Sequence, residues 1–249
     1  MQADPSAQRA LLLIADLDTQ TAQLRHRKAT LPEHAKLAEL AGKRGQLSEQ
    51  VIASETRLGD AEAEQDRIES DLAPARARRE RNQKMIDTGA VDAKALQSMI
   101  AETTHLSGRI NSLEDTQLEI MQQVEDETAV RDRLIAQRGE VETQMRTLLA
   151  DRDASGKELD AKIGQLAEQR AGLAQRLPAE LVALYEKIAQ RAGGTGAAEL
   201  RARRCTGCGL ELDMSELKKH ATASSDLVLR CEECGRILVR TEQSGLTQG

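Results

Sequence analysis

Four cysteines, all between positions 205 and 234, carry the strongest chemical signal in this chain of 249 residues. They form two near-identical knuckles, Cys205-Thr206-Gly207-Cys208-Gly209 and Cys231-Glu232-Glu233-Cys234-Gly235. In each, two thiolates share one tight turn, and the glycine after the second cysteine lets backbone amides swing toward sulfur. Two such knuckles complete one tetrahedron, so the spacing predicts one structural Zn2+ held by Cys205, Cys208, Cys231 and Cys234. A thioredoxin-type redox pair needs only one Cys-x-x-Cys, in a βαβ context that this sequence lacks. Four thiolates close the coordination sphere and leave no place for the activated water of a catalytic zinc. No catalytic residue is therefore expected, and the chain is read as not an enzyme. The 22 residues between Cys208 and Cys231 are expected to hold a strand at Leu210 to Leu212, a helical turn capped by Ser215 and a strand at Leu227 to Leu229. Arg236 to Arg240 is expected as the last strand. His220 reads as a solvated histidine at a helix end, and His26, His34 and His105 as isolated helical residues.

The elements that must position this site are mainly helical. The chain has no Phe, no Trp and one tyrosine, Tyr185, and 31% of it is charged. Aromatic side chains bury the most area each, so a broad globular core is not expected, whereas long exposed helices suit the composition. A 3-4 apolar repeat runs through Leu37, Leu40, Leu47, Val51, Leu58, Ile68 and Leu72. A second runs from Leu96 through Ile110, Leu113, Ile120, Leu134, Val141, Leu148 and Leu159, with Lys162, Leu166, Gln169 and Leu173 on the same seam. Such 3.5-residue spacing marks supercoiled helices. An earlier stretch, Leu17, Leu24 and Leu31, is out of phase, and Pro32 suits a new helix start there. Pro74 is expected to kink the first arm without ending it. Gly89 and Asp92 then supply a C-terminal glycine and an N-cap, so the second helix returns alongside the first. The fold class is thus mainly α: a long antiparallel coiled-coil hairpin over 1–177, with a break near 30–32 and a turn near 87–91. A short helix plus a small β zinc ribbon follows over 178–243, then a flexible tail over 244–249.

The hairpin repeat, the Leu31-Pro32-Glu33 break, the pre-turn Arg81-Asn82-Gln83-Lys84, the Leu177-Pro178 junction with Tyr185-Glu186, and the terminal Cys231-Glu232-Glu233-Cys234-Gly235-Arg236-Ile237-Leu238 together resemble the bacterial C4-type zinc-ribbon coiled-coil family. The actinobacterial branch is the most similar. The resemblance spans nearly the whole chain. It implies a nucleic-acid-binding zinc ribbon, in a family with members linked to alternative sigma factors, RNA binding and flagellar or secretion assembly.

Two surfaces are expected to carry recognition. On the ribbon, Arg201, Arg203, Arg204, Lys218, Lys219, Arg230, Arg236 and Arg240 form a cationic face for phosphates or a partner. From 178 to 249, however, ten Lys and Arg face ten Asp and Glu, so any field must come from segregation. Stacking on bases is ruled out by the missing aromatics. At the hairpin tip, Arg76, Arg78, Arg79, Arg81 and Lys84 form a second basic cluster beyond an acidic stretch. Nothing resembles a signal peptide or a membrane span, and a cytoplasmic protein is expected. The functional expectation is an adaptor binding RNA, DNA or a transcription-related protein, the alternative being a scaffold for proteins alone, with neither membrane nor small-molecule substrate as partner.

Overall fold

The computed structural model describes residues 1–89 and 91–246, so Ala90 in the expected turn and residues 247–249 lie outside the described residues. Along the chain come α1 (Pro5–Ala29), α2 (Pro32–Thr88), α3 (Ala93–Ala174), α4 (Ala179–Arg191), β1 (Ala197–Arg201), β2 (Arg204–Cys205), α5 (Met214–Thr222) and β3 (Ile237–Arg240). They form two compact units, Ala35–Leu149 and the combination of Met1–His34 with Ala150–Gly249.

The Ala35–Leu149 unit is the coiled-coil hairpin. On α2 the buried side chains are Leu47, Val51, Ser54, Leu58, Ala61, Ile68, Leu72 and Ala75, the 3-4 spacing of one continuous seam. Ile110 and Val141 answer from α3 at 1% and 3% exposure, with Leu113, Ile120, Leu134 and Leu148 half-buried between and beyond them. Helix α2 runs through Pro74. At the turn, Gly89 takes φ +63°, and Asp92 Oδ1 accepts from the amides of Lys94 and Ala95 at 3.1 and 2.8 Å. That cap satisfies orphan amides at the start of α3. A polar layer of the seam is hydrogen-bonded across the arms: Glu127 accepts from Ser54 Oγ at 3.4 Å and from Arg57 Nε at 2.9 Å, and Ser54 is fully buried. Such a layer fixes register, because sliding either arm would bury Ser54 and Glu127 without partners.

In the other unit α1 lies along the last turns of α3, and the seam shifts. Leu159 is buried, Ile163, Leu166, Arg170 and Leu173 are half-buried, and Lys162 and Gln169, expected on the seam, are exposed. The partner explains the shift: Arg170 Nε donates to Asp18 Oδ1 on α1 at 2.6 Å, and α1 is out of phase with α2. The same carboxylate accepts from Tyr185 Oη at 2.7 Å through Oδ2, so one ion ties α1, α3 and α4 together.

A mixed sheet of order β2-β1-β3 separates two small cores. Strands β1 and β3 run parallel, with Ala198 opposite Leu238, and β1 and β2 run antiparallel. Ile237 and Val239 face Leu11, Ile14, Leu181, Tyr185 and Ile188, whereas Leu238 faces Leu200, Leu212, Leu217 and the cysteines. Alternation along a strand puts neighbours on opposite faces, so three consecutive buried residues in β3 mean that both faces are covered. A core around Tyr185 therefore exists where composition argued against one. Strand β1 was not anticipated, and the strands expected at Leu210 to Leu212 and Leu227 to Leu229 are reduced to isolated bridges at Glu211 and Leu227, because each comes into ladder register with a neighbouring segment at one residue only. Leu227 bridges to Gln2 at the start of the chain, and Ala3 N donates to Asp226 O at 2.8 Å. Ser244, expected in a flexible tail, is 2% exposed, and its hydroxyl donates to Leu200 O at 3.0 Å. Gly196 admits no side chain, since a Cβ there would stand 2.1 Å from the Tyr185 carbonyl oxygen.

Candidate metal centre

Both knuckles repeat one hydrogen-bond pattern. Cys205 N donates to Leu210 O at 3.0 Å and Gly209 N to Cys205 O at 2.8 Å; Cys231 N donates to Arg236 O at 3.0 Å and Gly235 N to Cys231 O at 2.9 Å. Gly209 and Gly235 take φ +77° and +70°, the left-handed conformation that closes each turn at least cost for glycine. The four Sγ atoms lie within 4.8 Å of one another, with Cys205 to Cys234 at 3.8 Å and Cys208 to Cys231 at 3.9 Å. A tetrahedron with Zn–S bonds of about 2.3 Å has edges of about 3.8 Å, so the geometry fits one zinc ion. The chain thus carries a C4 zinc-ribbon site in which Cys205, Cys208, Cys231 and Cys234 would hold one zinc ion, which would cross-link the two knuckles.

Electrostatics agree with a metal-dependent site. Burial pushes the Cys205 thiol up to about 12, with backbone N–H groups of Cys208 and Gly207 only partly compensating. Burial also raises Cys231. At Cys234 burial works upward but is outweighed by the Arg236 amide and the neighbouring thiols, and the net direction is down. A buried thiolate array needs a cation to exist at neutral pH.

The expected cationic face is largely committed. Arg236 donates to the carbonyls of Thr195 at 3.1 Å and Gly207 at 3.2 Å and to Ala192 O, clamping the α4–β1 loop onto the first knuckle. Gly207 makes room for it, because a Cβ there would lie 2.7 Å from Arg236 Cδ. Arg240 donates to His220 O, Ala223 O, Ser224 O and Leu227 O at 2.6–3.2 Å, satisfying the C-terminal carbonyls of α5 and the loop after it. Both arginines leave the face and enter the fold. Arg201 pairs with Glu199 at 2.9 Å, Arg204 with Glu211 at 3.2 Å and Lys219 with Glu232 at 2.8 Å. Arg203 and Arg230 donate to the carbonyls of Gly245 and Gly235 at 3.4 and 2.7 Å. Among the described residues only the Lys218 side chain in this set has no partner. At the hairpin tip, Arg76 and Arg78 pair with Glu114 and Glu102, and Lys84 with Glu80, while Arg79 and Arg81 form no ion pair among the described residues.

Helix α5 supplies a latch that sequence did not reveal. Asp213, not Ser215, is its N-cap, accepting from the amides of Ser215 and Glu216. Glu216, only 4% exposed, accepts from Glu232 N at 3.0 Å and so holds the second knuckle from the side. His220, expected in solvent, is 2% exposed with Nδ1 unpartnered, and its Nε2 stands 3.9 Å from Glu216. The polar spacing of α5 conceals this, since only the tertiary fold shows which face is covered. Burial, and secondarily the Arg240 charge, lowers the His220 pKa, while Glu232 opposes and Lys219 adds to the effect. A histidine lowered in the folded state stabilises fully above the unfolded value near 6.5, and that stability is lost as pH falls below it. Between pH 7.5 and 5.5 the wild type should therefore lose more thermal stability than His220→Gln; equal losses in the two proteins would assign the acid sensitivity to the zinc thiolates alone.

Comparison with known proteins agrees with this architecture. The chain matches the model of the CT398-like coiled coil hairpin domain over residues 14–193 and that of the C4-type zinc ribbon domain over residues 204–238. Protein Rv2229c of Mycobacterium tuberculosis is 33% identical over 250 residues, covering 97% of this chain and 98% of the relative. A solved structure from Mycobacterium smegmatis superposes with a TM-score of 0.87 at 34% identity, over 96% of this chain and all of that one. CT398 from Chlamydia trachomatis shares the fold, with a TM-score of 0.68 at 17% identity over 95% of this chain and 98% of its own.

Proposed function

Because the chain belongs to the family that joins a CT398-like coiled-coil hairpin to a C4-type zinc ribbon, we propose that it is a non-enzymatic adaptor whose main work is docking proteins. The observation that carries this reading is the commitment of the ribbon's cations. Seven of the eight basic residues on the expected face, Lys218 being the exception, already hold a carboxylate or a backbone carbonyl. The tetrathiolate adds about two negative charges beside them. Beside the first knuckle, Leu210 and Met214 are 51% and 76% exposed, apolar contacts suited to a protein surface. A reducing compartment such as the cytoplasm keeps the cysteines available as ligands, and no described helix is long and apolar enough to cross a membrane.

Nucleic-acid contact is a second reading, favoured by one cleft. Lys187, Arg191 and Arg230 line about 240 Å³ next to Cys234 and Gly235 without a carboxylate among the lining residues. Binding of zinc-loaded protein to RNA and DNA across a salt titration separates the readings. If the chain docks proteins, nucleic-acid binding is weak and unchanged by Lys187→Glu with Arg191→Glu; tight, salt-sensitive binding lost in that variant would install nucleic-acid contact instead.

A further inference from the structure

The Ala35–Leu149 hairpin has two unlike flanks. In an antiparallel pair the e positions of both helices border one side of the seam and the g positions the other. Taking Leu58 and Ile110 as a positions, Asp71–Arg109 and Arg78–Glu102 are cross-arm ion pairs on the g side. Among the described residues the e side has one, Arg76–Glu114. It exposes large apolar side chains instead: Leu118 66%, Met121 41% and Ile135 39%, with Ile52 on the facing arm at 63%. Leu118 occupies b and Met121 and Ile135 occupy e, so they fall on one side of α3 over about 25 Å of helix. Around them stand Glu55, Glu62 and Glu69 at successive e positions of α2 and Glu125 at b of α3, none of which forms an ion pair among the described residues. Like charges gathered on one flank repel one another, yet here they border an apolar strip that solvent does not favour.

We propose that this flank docks a basic amphipathic helix of a partner protein, an apolar stripe seated on Leu118, Met121 and Ile135 and lysines or arginines meeting the glutamates. Charge identifies the occupant. A second copy of this chain would set the same four glutamates against themselves, whereas a cationic helix neutralises them and gains steering. The inference rests on the protein-docking reading and names one surface and one partner chemistry for it.

The test uses the full zinc-loaded chain and a labelled 21-residue Leu/Lys peptide with apolar residues at 3-4 spacing. Controls are a scrambled peptide of equal composition and a Leu/Glu peptide. The amphipathic basic peptide is expected to bind, with at least tenfold weaker binding of both controls. Leu118→Gln with Met121→Gln, both at exposed positions, should weaken binding tenfold or more at an unchanged melting temperature, and Glu55→Gln with Glu62→Gln and Glu69→Gln should flatten its salt dependence. Equal binding of scrambled and amphipathic peptides, undiminished binding by the Leu118/Met121 variant, or self-association that this variant abolishes would each overturn the proposal. Protein partners captured equally by wild type and this variant after nuclease treatment would leave the docking reading standing and remove this flank from it. Capture abolished by nuclease would remove the docking reading without touching the peptide result.

Discussion

Stripping the metal is expected to unfold the ribbon while leaving most of the helical ellipticity in place. The cysteines are themselves core: Cys205 and Cys231 pack with Ala198, Leu200, Leu212, Leu217 and Leu238, a cluster too small to persist on apolar burial alone. Sites of this type contribute roughly 10–16 kcal/mol of apparent binding energy, which in so small a module is folding energy. Without zinc, burial favours neutral thiols at Cys205 and Cys231, and nothing then draws the knuckles together. The Ala35–Leu149 hairpin carries its own seam and does not draw on the metal. Chelation, or Cys231→Ser, should therefore erase the near-ultraviolet signal of Tyr185, the chain's one tyrosine in the absence of tryptophan, with little change in the far-ultraviolet helical bands. A metal-free protein with an intact tyrosine signal would show that the core around Tyr185 stands without zinc.

Tyr185→Ala should be the most damaging substitution outside the cysteines. The ring is fully buried among Leu11, Ile14, Leu181 and Ile188, and truncating an aromatic residue in such a place costs about 3–5 kcal/mol. Tyr185→Phe should cost about 1–2 kcal/mol, the hydrogen bond to the Asp18 carboxylate, because Arg170 still holds that ion. The damage should reach the metal, since Ile237 and Val239 of β3 face the tyrosine while Leu238 between them faces the ribbon. Denaturant titration read by zinc release is the appropriate measurement. Tyr185→Ala should release zinc at clearly lower denaturant than Tyr185→Phe, and release at the wild-type midpoint would mean that the two cores are independent.

What could be read in the sequence was whatever depends on periodicity or on ligand count. The hairpin followed from 3-4 spacing, because a two-helix seam needs no other partner. The zinc ligands followed from two Cys-x-x-Cys pairs, because four thiolates have one geometry available. Features set by distant segments stayed hidden. Strand β1, Ala197-Ala198-Glu199-Leu200-Arg201, is written in helix-favouring residues and becomes a strand by pairing with β3 some forty residues away. The turn that follows places Ala202 and Arg203 at φ +47° and +62° without the Asn-Gly signature of such turns. Arg236 and Arg240 read as surface cations because charge is visible in a sequence, whereas the carbonyls that occupy them belong to loops up to 44 residues away. His220 read as solvated for the same reason, and the phase of the α3 seam past Leu159 depended on which helix lay against it.

The four cysteine sulfurs are expected to saturate a single zinc and to leave no position on the metal for water or substrate. X-ray absorption at the zinc edge of gently purified protein measures this directly. One zinc per chain is expected, with four sulfur neighbours at about 2.3 Å and no lighter atom bound to the metal. Three sulfurs with an oxygen or nitrogen at about 2.0 Å would contradict it, because an exchangeable position on the metal would reopen catalysis.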